Sequence, residues 1–414
     1  MEKNTAENNG IKYISGGVCA PRGFRASGTA CGIKGSIGKK DLALIASDTM
    51  CSAAAVYTSN KVKGAPLEVT KKNISDGKAL AIICNSGNAN TCAPNGKELA
   101  EKTCRLTAES LGADERDIVV CSTGVIGQEL HIEPFERGVP VLVSELDPEG
   151  SHEAAQAIMT TDTVPKEIAV ELELGGRICR IGGIAKGSGM INPNMATMLA
   201  FITTDAAISP EILDSVLKED VKTSFNQICV DGDTSTNDMT VVLANGMAGN
   251  AVIDGEGNDL EAFKAALHEV TVSLAKMLAR DGEGATKLIE CRVEGAADDE
   301  QARTISKTVI ASDLLKAAMF GADANWGRVL CAVGYAPGSF STDDIDVEMA
   351  SDKGKVTVCR GSRHEEYSEE KASEILSADE IRIRIDMHQG KSSAIAWGCD
   401  LTYDYVKING DYRS

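Results

Sequence analysis

The stretch KGSGMINPNMATMLAFITT, which runs from Lys186 to Thr204, is the most unusual segment of the sequence. After Lys186 it carries no charge until Asp205, it opens with two glycines, and residues 197–203 have the apolar pattern of a buried strand. A neutral loop that leads into a core strand beginning at Thr197 would suit a nucleophile held at the edge of a rigid sheet. The same pattern is also typical of a glycine-rich turn before an ordinary core strand, so the segment alone leaves both interpretations open.

Strand and helix patterns alternate irregularly on both sides of this stretch. Apolar runs predict further strands at residues 79–84, 117–121, 329–333 and 381–385. Gly175-Gly176 predicts a hairpin turn between strands at residues 166–174 and 177–184. Helical spacing predicts helices at residues 96–111, from Pro210 with Ser209 as cap, from Asn258 to Arg280 with Glu261 at the capping-box position, and at residues 304–319. The predicted fold class is therefore mixed α/β or α+β.

Composition and charge exclude several classes of function. The chain has 414 residues, with 42 Lys and Arg against 61 Asp and Glu, so its net charge is −19. Because phosphate backbones and anionic lipids are bound by basic surfaces, we expect neither nucleic acid nor a membrane as a partner. Hydrophobic residues make up 43% and charged residues 25%, which favours an ordinary globular protein over a disordered one.

The cysteines and the start of the chain predict a cytoplasmic protein. The first ten residues are polar and lack the apolar core of a signal peptide, and no window of about 18 apolar residues is long enough to span a membrane. The 13 cysteines form no CxxC pair and match no zinc template. We expect them to be reduced thiols that mostly serve as small core residues.

The sequence matches none of several familiar catalytic and metal-binding motifs. Lys186 precedes Gly187-Ser188, whereas a phosphate-binding Walker loop needs the lysine after a glycine. Residues 231–238 resemble a calcium loop, but Thr236 stands where glycine is required, which favours a turn stabilised by Asp and Asn side chains. The sequence has no HxxxH pair and no GxSxG elbow. What remains is a threonine nucleophile activated by its own α-amino group, which requires cleavage just before that threonine.

Residues 192–199, Asn-Pro-Asn-Met-Ala-Thr-Met-Leu, resemble the self-cleavage site of the ornithine acetyltransferase family of arginine biosynthesis, also called glutamate N-acetyltransferases. Further motifs resemble this family in order along nearly the whole chain, at residues 58–60, 85–90, 122–127, 160–163, 230–238, 281–287, 321–328 and 408–414. The resemblance implies a mixed α/β sandwich of the family's own type, similar to other self-cleaving N-terminal-nucleophile enzymes.

The resemblance also implies roles for individual residues. Thr197 would be the nucleophile, both for cleavage of the Ala196–Thr197 bond and for acetyl transfer, and Thr123 and Gly124 would form the oxyanion hole. The implied substrate contacts are Thr163, Lys186, Thr197, Glu283, Asn409 and Ser414, with Thr160 and Thr161 as alternatives to Thr163. The family's site holds no metal.

The implied reaction moves acetyl from N-acetylornithine to Thr197 and then to glutamate, without a cofactor for the transfer itself. Acetyl-CoA is a further acetyl donor if the enzyme is bifunctional, a point that the sequence leaves open. Cleavage would divide the chain into an α chain, residues 1–196, and a β chain, residues 197–414, which together form one intertwined catalytic unit in an α2β2 heterotetramer. The alternative from another class is a self-cleaving amidase or aminopeptidase.

Overall fold

Two β-sheets form the framework of the protein. The computed structural model describes residues 10–35, 38–192 and 198–411. Its strands are β1 (Lys12–Ile14), β2 (Phe24–Thr29), β3 (Leu42–Tyr57), β4 (Lys78–Asn85), β5 (Ile118–Ser122), β6 (Lys166–Leu174), β7 (Arg177–Lys186), β8 (Leu199–Thr204), β9 (Ile228–Cys229), β10 (Met239–Ala244), β11 (Leu288–Ala296), β12 (Asp346–Ser351), β13 (Gly354–Arg360), β14 (Arg363–His364), β15 (Glu380–Asp386) and β16 (Ser392–Cys399).

Helices cover both sheets. They are α1 (Ala65–Asn73), α2 (Gly96–Leu111), α3 (Glu133–Ser144), α4 (Ser151–Ile158), α5 (Pro210–Asp220), α6 (Asn258–Arg280), α7 (Asp299–Ile310), α8 (Asp313–Phe320), α9 (Trp326–Gly334), α10 (Glu369–Leu376) and α11 (Tyr403–Asp411). None of the helices in the described part of the chain is long and apolar enough to cross a membrane. All 13 cysteines lie in the described ranges and are free thiols, as the sequence predicted.

The first sheet folds over on itself into a sandwich. Its strands run in the order β1-β6-β7-β8-β10-β3-β4-β5, with β2 also paired to β3, and the pairing register of β3 and β4 shifts between Ala46 and Cys51. Side chains of β4 and β5 share one core with side chains of β8 and β10, and Cys121 Sγ lies 3.7 Å from Met239 Sδ across it. The ends of β5 and β7 and the starts of β8 and β10 thereby meet at one end of the sandwich.

The long helix α6 joins the two sheets. Its buried stripe, which includes Phe263, Leu267 and Leu274, packs with the outer face of β6–β8 and with Trp397 of the second sheet. The second sheet has the order β14-β13-β12-β15-β11-β16-β9, and α7 to α10 bury one face of it. The predicted mixed α/β sandwich is therefore the observed fold class.

Most of the predicted elements are confirmed. The run at 79–84 lies in β4, the run at 117–121 largely in β5 and the run at 381–385 in β15. Gly175 and Gly176 both have positive φ (54° and 76°) in the β6–β7 hairpin. Ser209 caps α5 by accepting a hydrogen bond from the Ile212 N–H.

Three local predictions are wrong. Residues 329–333 are not a strand but part of α9, because the Asn325 side chain caps a helix there by accepting from the Arg328 N–H. Residues 304–319 are not one helix, since the chain breaks after Ile310 and Ser312 caps the new helix α8. Glu261 makes no capping box: the residue before α6 is Gly257, and the Glu261 carboxylate pairs with Lys264.

Candidate active site

Several strand ends surround a cavity of about 140 Å³ at the end of the sandwich. Described residues that line it come from the ends of β5 and β7, the starts of β8 and β10, several connecting loops and helix α11. They include Thr123, Gly124, Thr160, Thr161, Lys186, Gly189, Met190, Ile191, Met198, Leu199, Ser235, Thr236, Asn237, Asp238, Glu283 and Asn409. Six predicted site residues lie in the described ranges, namely Thr123, Gly124, Thr163, Lys186, Glu283 and Asn409. All of them except Thr163 line the cavity.

Thr123 and Gly124 follow β5 directly, and the backbone of Gly124 adopts a conformation that favours glycine. Gly124 has φ +125°, and a Cβ there would lie 2.6 Å from the Gly87 carbonyl carbon. The Thr123 N–H donates to the Asn85 carbonyl at 2.9 Å, so its backbone donor is used by the fold. Among the described residues, none accepts a hydrogen bond from the Gly124 N–H. The Thr123 hydroxyl and the Gly124 N–H are therefore two adjacent donors from which a negative oxygen in the cavity can accept.

Lys186, the last residue of β7, provides a positive charge at the cavity. Its side chain is buried, and its Nζ donates to the Thr160 hydroxyl at 2.8 Å and lies 3.5 Å from the Thr123 hydroxyl oxygen. Asp162 faces this cation as well as Lys166. Burial by itself raises the pKa of the Asp162 carboxyl, but the charges of Lys186 and Lys166 and the Gly187 N–H lower it to about 2. Asp162 is thus an anion that balances the two lysines.

Glu283 provides a negative charge at the same cavity. It lies in the loop after α6, is 8% exposed, and accepts hydrogen bonds from Thr161 Oγ1 and Asn409 Nδ2, both at 2.7 Å. Its backbone N–H donates to the Ser188 carbonyl at 3.0 Å, two residues beyond Lys186. The sequence-predicted contacts Lys186, Glu283 and Asn409 therefore lie around one site.

Thr163 is placed differently. Its N–H donates to Asp281 Oδ2 at 3.0 Å and its hydroxyl donates to Asp281 Oδ1, so the side chain is directed away from the lining of the cavity. Thr160 and Thr161, the two alternatives in the same motif, both line the cavity. Which of the three contacts substrate stays a prediction.

The carboxylate of Asp231 holds the loop that leads toward the predicted cleavage point. Its two oxygens accept from the Met190 N–H at 2.6 Å and the Ile191 N–H at 2.8 Å, and Oδ1 also accepts from the Asp233 N–H at 3.3 Å. The bond to the Asp233 N–H belongs to the turn, stabilised by Asp and Asn side chains, that the sequence favoured for residues 231–238. The bonds to Met190 and Ile191 connect this turn to the preceding loop. Asn192 ends the described part of the loop, with its Nδ2 donating to the Gly232 carbonyl at 3.0 Å.

Ala196, Thr197 and Ser414 lie outside the described residues. The chain is described again from Met198, and Met198 and Leu199 line the cavity. Leu199 pairs with Lys186 on one side and with Met239 on the other. The sequence position of the predicted nucleophile is thus one residue from the wall of this cavity.

Asn237 and Asp238, two residues of the 230–238 motif, line the cavity but were not predicted from the sequence as site residues. Asn237 Nδ2 donates to the carbonyls of Ala89 and Ser122, which joins the start of β10 to the end of β5. Asp238 is buried, and burial raises the pKa of its carboxyl well above the ordinary value. A position directly before a buried strand at the same sheet end was the available signal for both.

The possible metal ligands of the described chain lie elsewhere. Asp344, Asp346 and His388 are close enough together to share an ion, but they lie at the second sheet and not in this cavity. The lining of the cavity combines the Thr123 hydroxyl and the Gly124 N–H with the Lys186 cation and the Glu283 carboxylate. This combination is suited to acyl transfer between ligands that carry charges of both signs.

Known proteins resemble the chain over nearly its whole length. A family model described as the ArgJ family matches residues 25–414. The arginine biosynthesis bifunctional protein ArgJ of Symbiobacterium thermophilum is 50% identical over 406 residues, which is 98% of this chain and 100% of that protein. The bifunctional protein ArgJ 1 of Clostridium acetobutylicum is 49% identical over 392 residues, 94% and 96% of the two chains. A crystal structure of the bifunctional protein argJ from Bacillus halodurans is 45% identical with a TM-score of 0.48, over 51% of this chain and 97% of that chain.

Proposed function

The chain belongs to the ArgJ family, and from that premise we propose that it transfers acetyl from N-acetylornithine to glutamate through an acetyl ester of Thr197. The family predicted from the sequence motifs is confirmed by these matches, as is the prediction of an enzyme of arginine biosynthesis. One observation supports the finer proposal above all: Thr123, Gly124, Lys186 and Glu283 surround one cavity, and Met198, the neighbour of Thr197, forms part of its wall.

The chemistry has two symmetrical halves. The Thr197 hydroxyl attacks the acetyl carbonyl and its proton passes to the free α-amino group of Thr197. That group then gives the proton to the leaving nitrogen as the C–N bond breaks, which releases ornithine. The amine of glutamate then attacks the ester and regenerates the hydroxyl. Both halves pass through a tetrahedral oxyanion, which the Thr123 hydroxyl and the Gly124 N–H would stabilise, each by about 3–4 kcal/mol.

Two buried charges fit the two substrates. Both carry an α-carboxylate, for which Lys186 is the suitable cation. In N-acetylornithine the α-nitrogen is a neutral amide and the side chain ends in an ammonium group, for which Glu283 is the suitable anion. Because Glu283 is fixed by Thr161 and Asn409, its charge needs no reorganisation when the ligand binds.

We propose that self-cleavage at Ala196–Thr197 produces the α-amino group. Attack of the Thr197 hydroxyl on the Ala196 carbonyl breaks the peptide C–N bond and gives an ester, and water then opens the ester to a carboxylate and the free hydroxyl. The sheet order supports a product that stays together. Strands β8 and β10, from residues 197–414, lie between β7 and β3, from residues 1–196. Assembly of two such units as an α2β2 heterotetramer belongs to the same proposal.

The names of the relatives support acetyl-CoA as a second acetyl donor, since they describe bifunctional proteins. The test is to incubate the purified protein with glutamate and either N-acetylornithine or acetyl-CoA, and to identify the products by mass spectrometry. We expect N-acetylglutamate in both reactions. Acetate without N-acetylglutamate would instead identify the amidase alternative and overturn the proposal.

A further inference from the structure

Lys166 is a fully buried lysine that lies outside the lining of the cavity and between two carboxylates. Its side chain is 1% exposed, and its Nζ lies 2.7 Å from Asp162 Oδ1 and 2.6 Å from Asp281 Oδ2. A third bond, to the Val164 carbonyl at 3.2 Å, completes the three donors of the ammonium group. A buried cation with this geometry is costly to desolvate, and its two anions would repel each other without it.

Asp162 anchors one wall of the cavity. Its Oδ2 accepts from the Thr160 N–H at 3.0 Å, and its Oδ1 accepts from the Gly187 N–H at 2.9 Å. Thr160 is the residue whose hydroxyl accepts from Lys186, and Gly187 follows Lys186 in the chain. The position of Asp162 therefore determines where the threonines and the catalytic-site cation stand.

Asp281 anchors the opposite wall. Its carboxylate accepts from the N–H and hydroxyl of Thr163, and its carbonyl accepts from Ser188 Oγ at 2.9 Å. Glu283 lies two residues further along the same loop. Thr163 and Thr161 bond Asp281 and Glu283 directly. Lys166 adds the one ammonium among the described residues that bonds both Asp162 and Asp281, and so reinforces the connection of the segment 160–163 to the loop 281–283 with a buried charge.

We propose that Lys166 is a positioning residue that sets the spacing between residues 160–163 and the Glu283 loop, and thereby the binding of both substrates. The inference rests on the proposed function for its substrates, although the spacing itself does not. Lys166 acts through Asp162 and Asp281 and touches no ligand. The Lys166–Asp281 contact also joins residues on opposite sides of the proposed cleavage point. It therefore holds the proposed α and β chains together beside the proposed substrate site.

The test compares Lys166→Met with Lys166→Arg, and uses Lys287→Met as a matched control. Lys287 is also buried, and its ammonium donates to the carbonyls of Met319 and Leu376, away from the cavity. We expect Lys166→Met to raise KM for N-acetylornithine and for glutamate at least tenfold while kcat changes less than threefold. Lys166→Arg keeps the charge but is longer, and should give an intermediate KM. Lys287→Met should lower Tm without changing either KM.

A second readout separates this inference from the proposed function. Amide hydrogen exchange in folded Lys166→Met should rise in both residues 160–163 and residues 281–283, whatever reaction the protein catalyses. If Lys166→Met does not fold, Lys166→Arg alone decides, because a guanidinium cannot keep both carboxylates at their present distances. Unchanged KM values and unchanged exchange in the folded variant would overturn the positioning role, even if the wild-type protein makes N-acetylglutamate. Failure of the wild-type protein to make it, with exchange altered as expected, would overturn the proposed function and keep the positioning role.

Discussion

The backbone of Gly189 lies directly against the carboxylate of Glu283: a Cβ at residue 189 would come within 2.3 Å of Glu283 Oε2. No real side chain tolerates such a contact, so residue 189 and the carboxylate compete for the same space. Because Glu283 is held by Thr161 and Asn409 in this place, the glycine is part of what positions its charge.

We expect Gly189→Ala to displace the Glu283 carboxylate and break at least one of its hydrogen bonds. Since a charge-assisted hydrogen bond contributes about 1.5–3 kcal/mol, KM for N-acetylornithine should rise roughly tenfold or more. The flexible end of a glutamate can move at little cost, so Tm should change little. Steady-state kinetics and calorimetry measure the two effects. Gly334→Ala is the control, because a Cβ at that helical position meets nothing within 4 Å; equal kinetics for both variants would contradict the prediction.

Glu283→Gln should distinguish the two substrates. It removes the negative charge and keeps the shape, because the amide oxygen can accept from Asn409 Nδ2 while the amide NH2 donates to the Thr161 hydroxyl, which accepts as well as donates. KM for N-acetylornithine should rise about tenfold or more, and KM for glutamate should rise less. Steady-state kinetics with each substrate varied in turn measure the two KM values. Equal changes in both KM values would mean that Glu283 does not recognise the charge of the ornithine side chain. Asp281 cannot readily substitute for it, since its oxygens are bonded to Thr163 and Lys166.

Thr123→Ala should lower kcat much more than it raises KM. Its hydroxyl is proposed to bond an oxyanion that exists only in the transition state, and loss of such a donor costs about 10²–10³ in turnover. The backbone bond to Asn85 is kept in the variant, so the loop should stay in place. If Thr123 merely stabilises the turn after β5, Tm would fall while kcat of the folded protein stayed near normal.

Thr197→Ala should block both chain cleavage and acetyl transfer, whereas Thr197→Ser should retain part of each. The alanine lacks the nucleophile for both steps, and serine has it without the β-methyl group that restricts χ1. A denaturing gel of active wild-type protein should show two bands, for residues 1–196 and 197–414. A single full-length band from active protein, or full transfer by the alanine variant, would refute the shared nucleophile.

Acid should lower the free energy of unfolding, because it protonates Asp162. The pKa of this carboxyl is lowered from 3.8 to about 2 in the folded protein, against the effect of its burial, by Lys186, Lys166 and the Gly187 N–H. A lowered folded pKa gives stability that is complete above the unfolded pKa, near 4, and is lost as the pH falls toward 2. The shift corresponds to about 2 kcal/mol.

The Asp162→Asn variant isolates this contribution. It should be much less stable than the wild-type protein at pH 6, because Lys186 loses its neighbouring anion and Lys166 keeps only Asp281. The difference in Tm between the two proteins should narrow as the pH falls from 4 to 2. Asp352→Asn, at an exposed turn, is the control. A difference that stays constant with pH would show that Asp162 is not the titrating group.

Sequence patterns predicted elements well where periodicity and turn chemistry agreed, and failed where a short run had neither. The β6–β7 hairpin has a two-residue glycine turn that allows one register, and α5 has a capping serine followed by proline. The run at 329–333 is too short for its period to distinguish helix from strand. Its helical state in α9 depends on the cap that Asn325 provides and on packing against the second sheet.

The sequence by itself determined the family, the mixed α/β class and a set of candidate residues that line the cavity, because motifs and apolar periods are local properties of the chain. Only the tertiary structure showed that Thr160 and Thr161, and not Thr163, line the cavity. It alone also showed that Lys166, Asp162 and Asp281 connect the two walls of the cavity. Lys166 and Asp281 are 115 positions apart. Their contact depends on where β6 begins and where α6 ends in the fold, and no local pattern encodes the meeting of two such distant side chains.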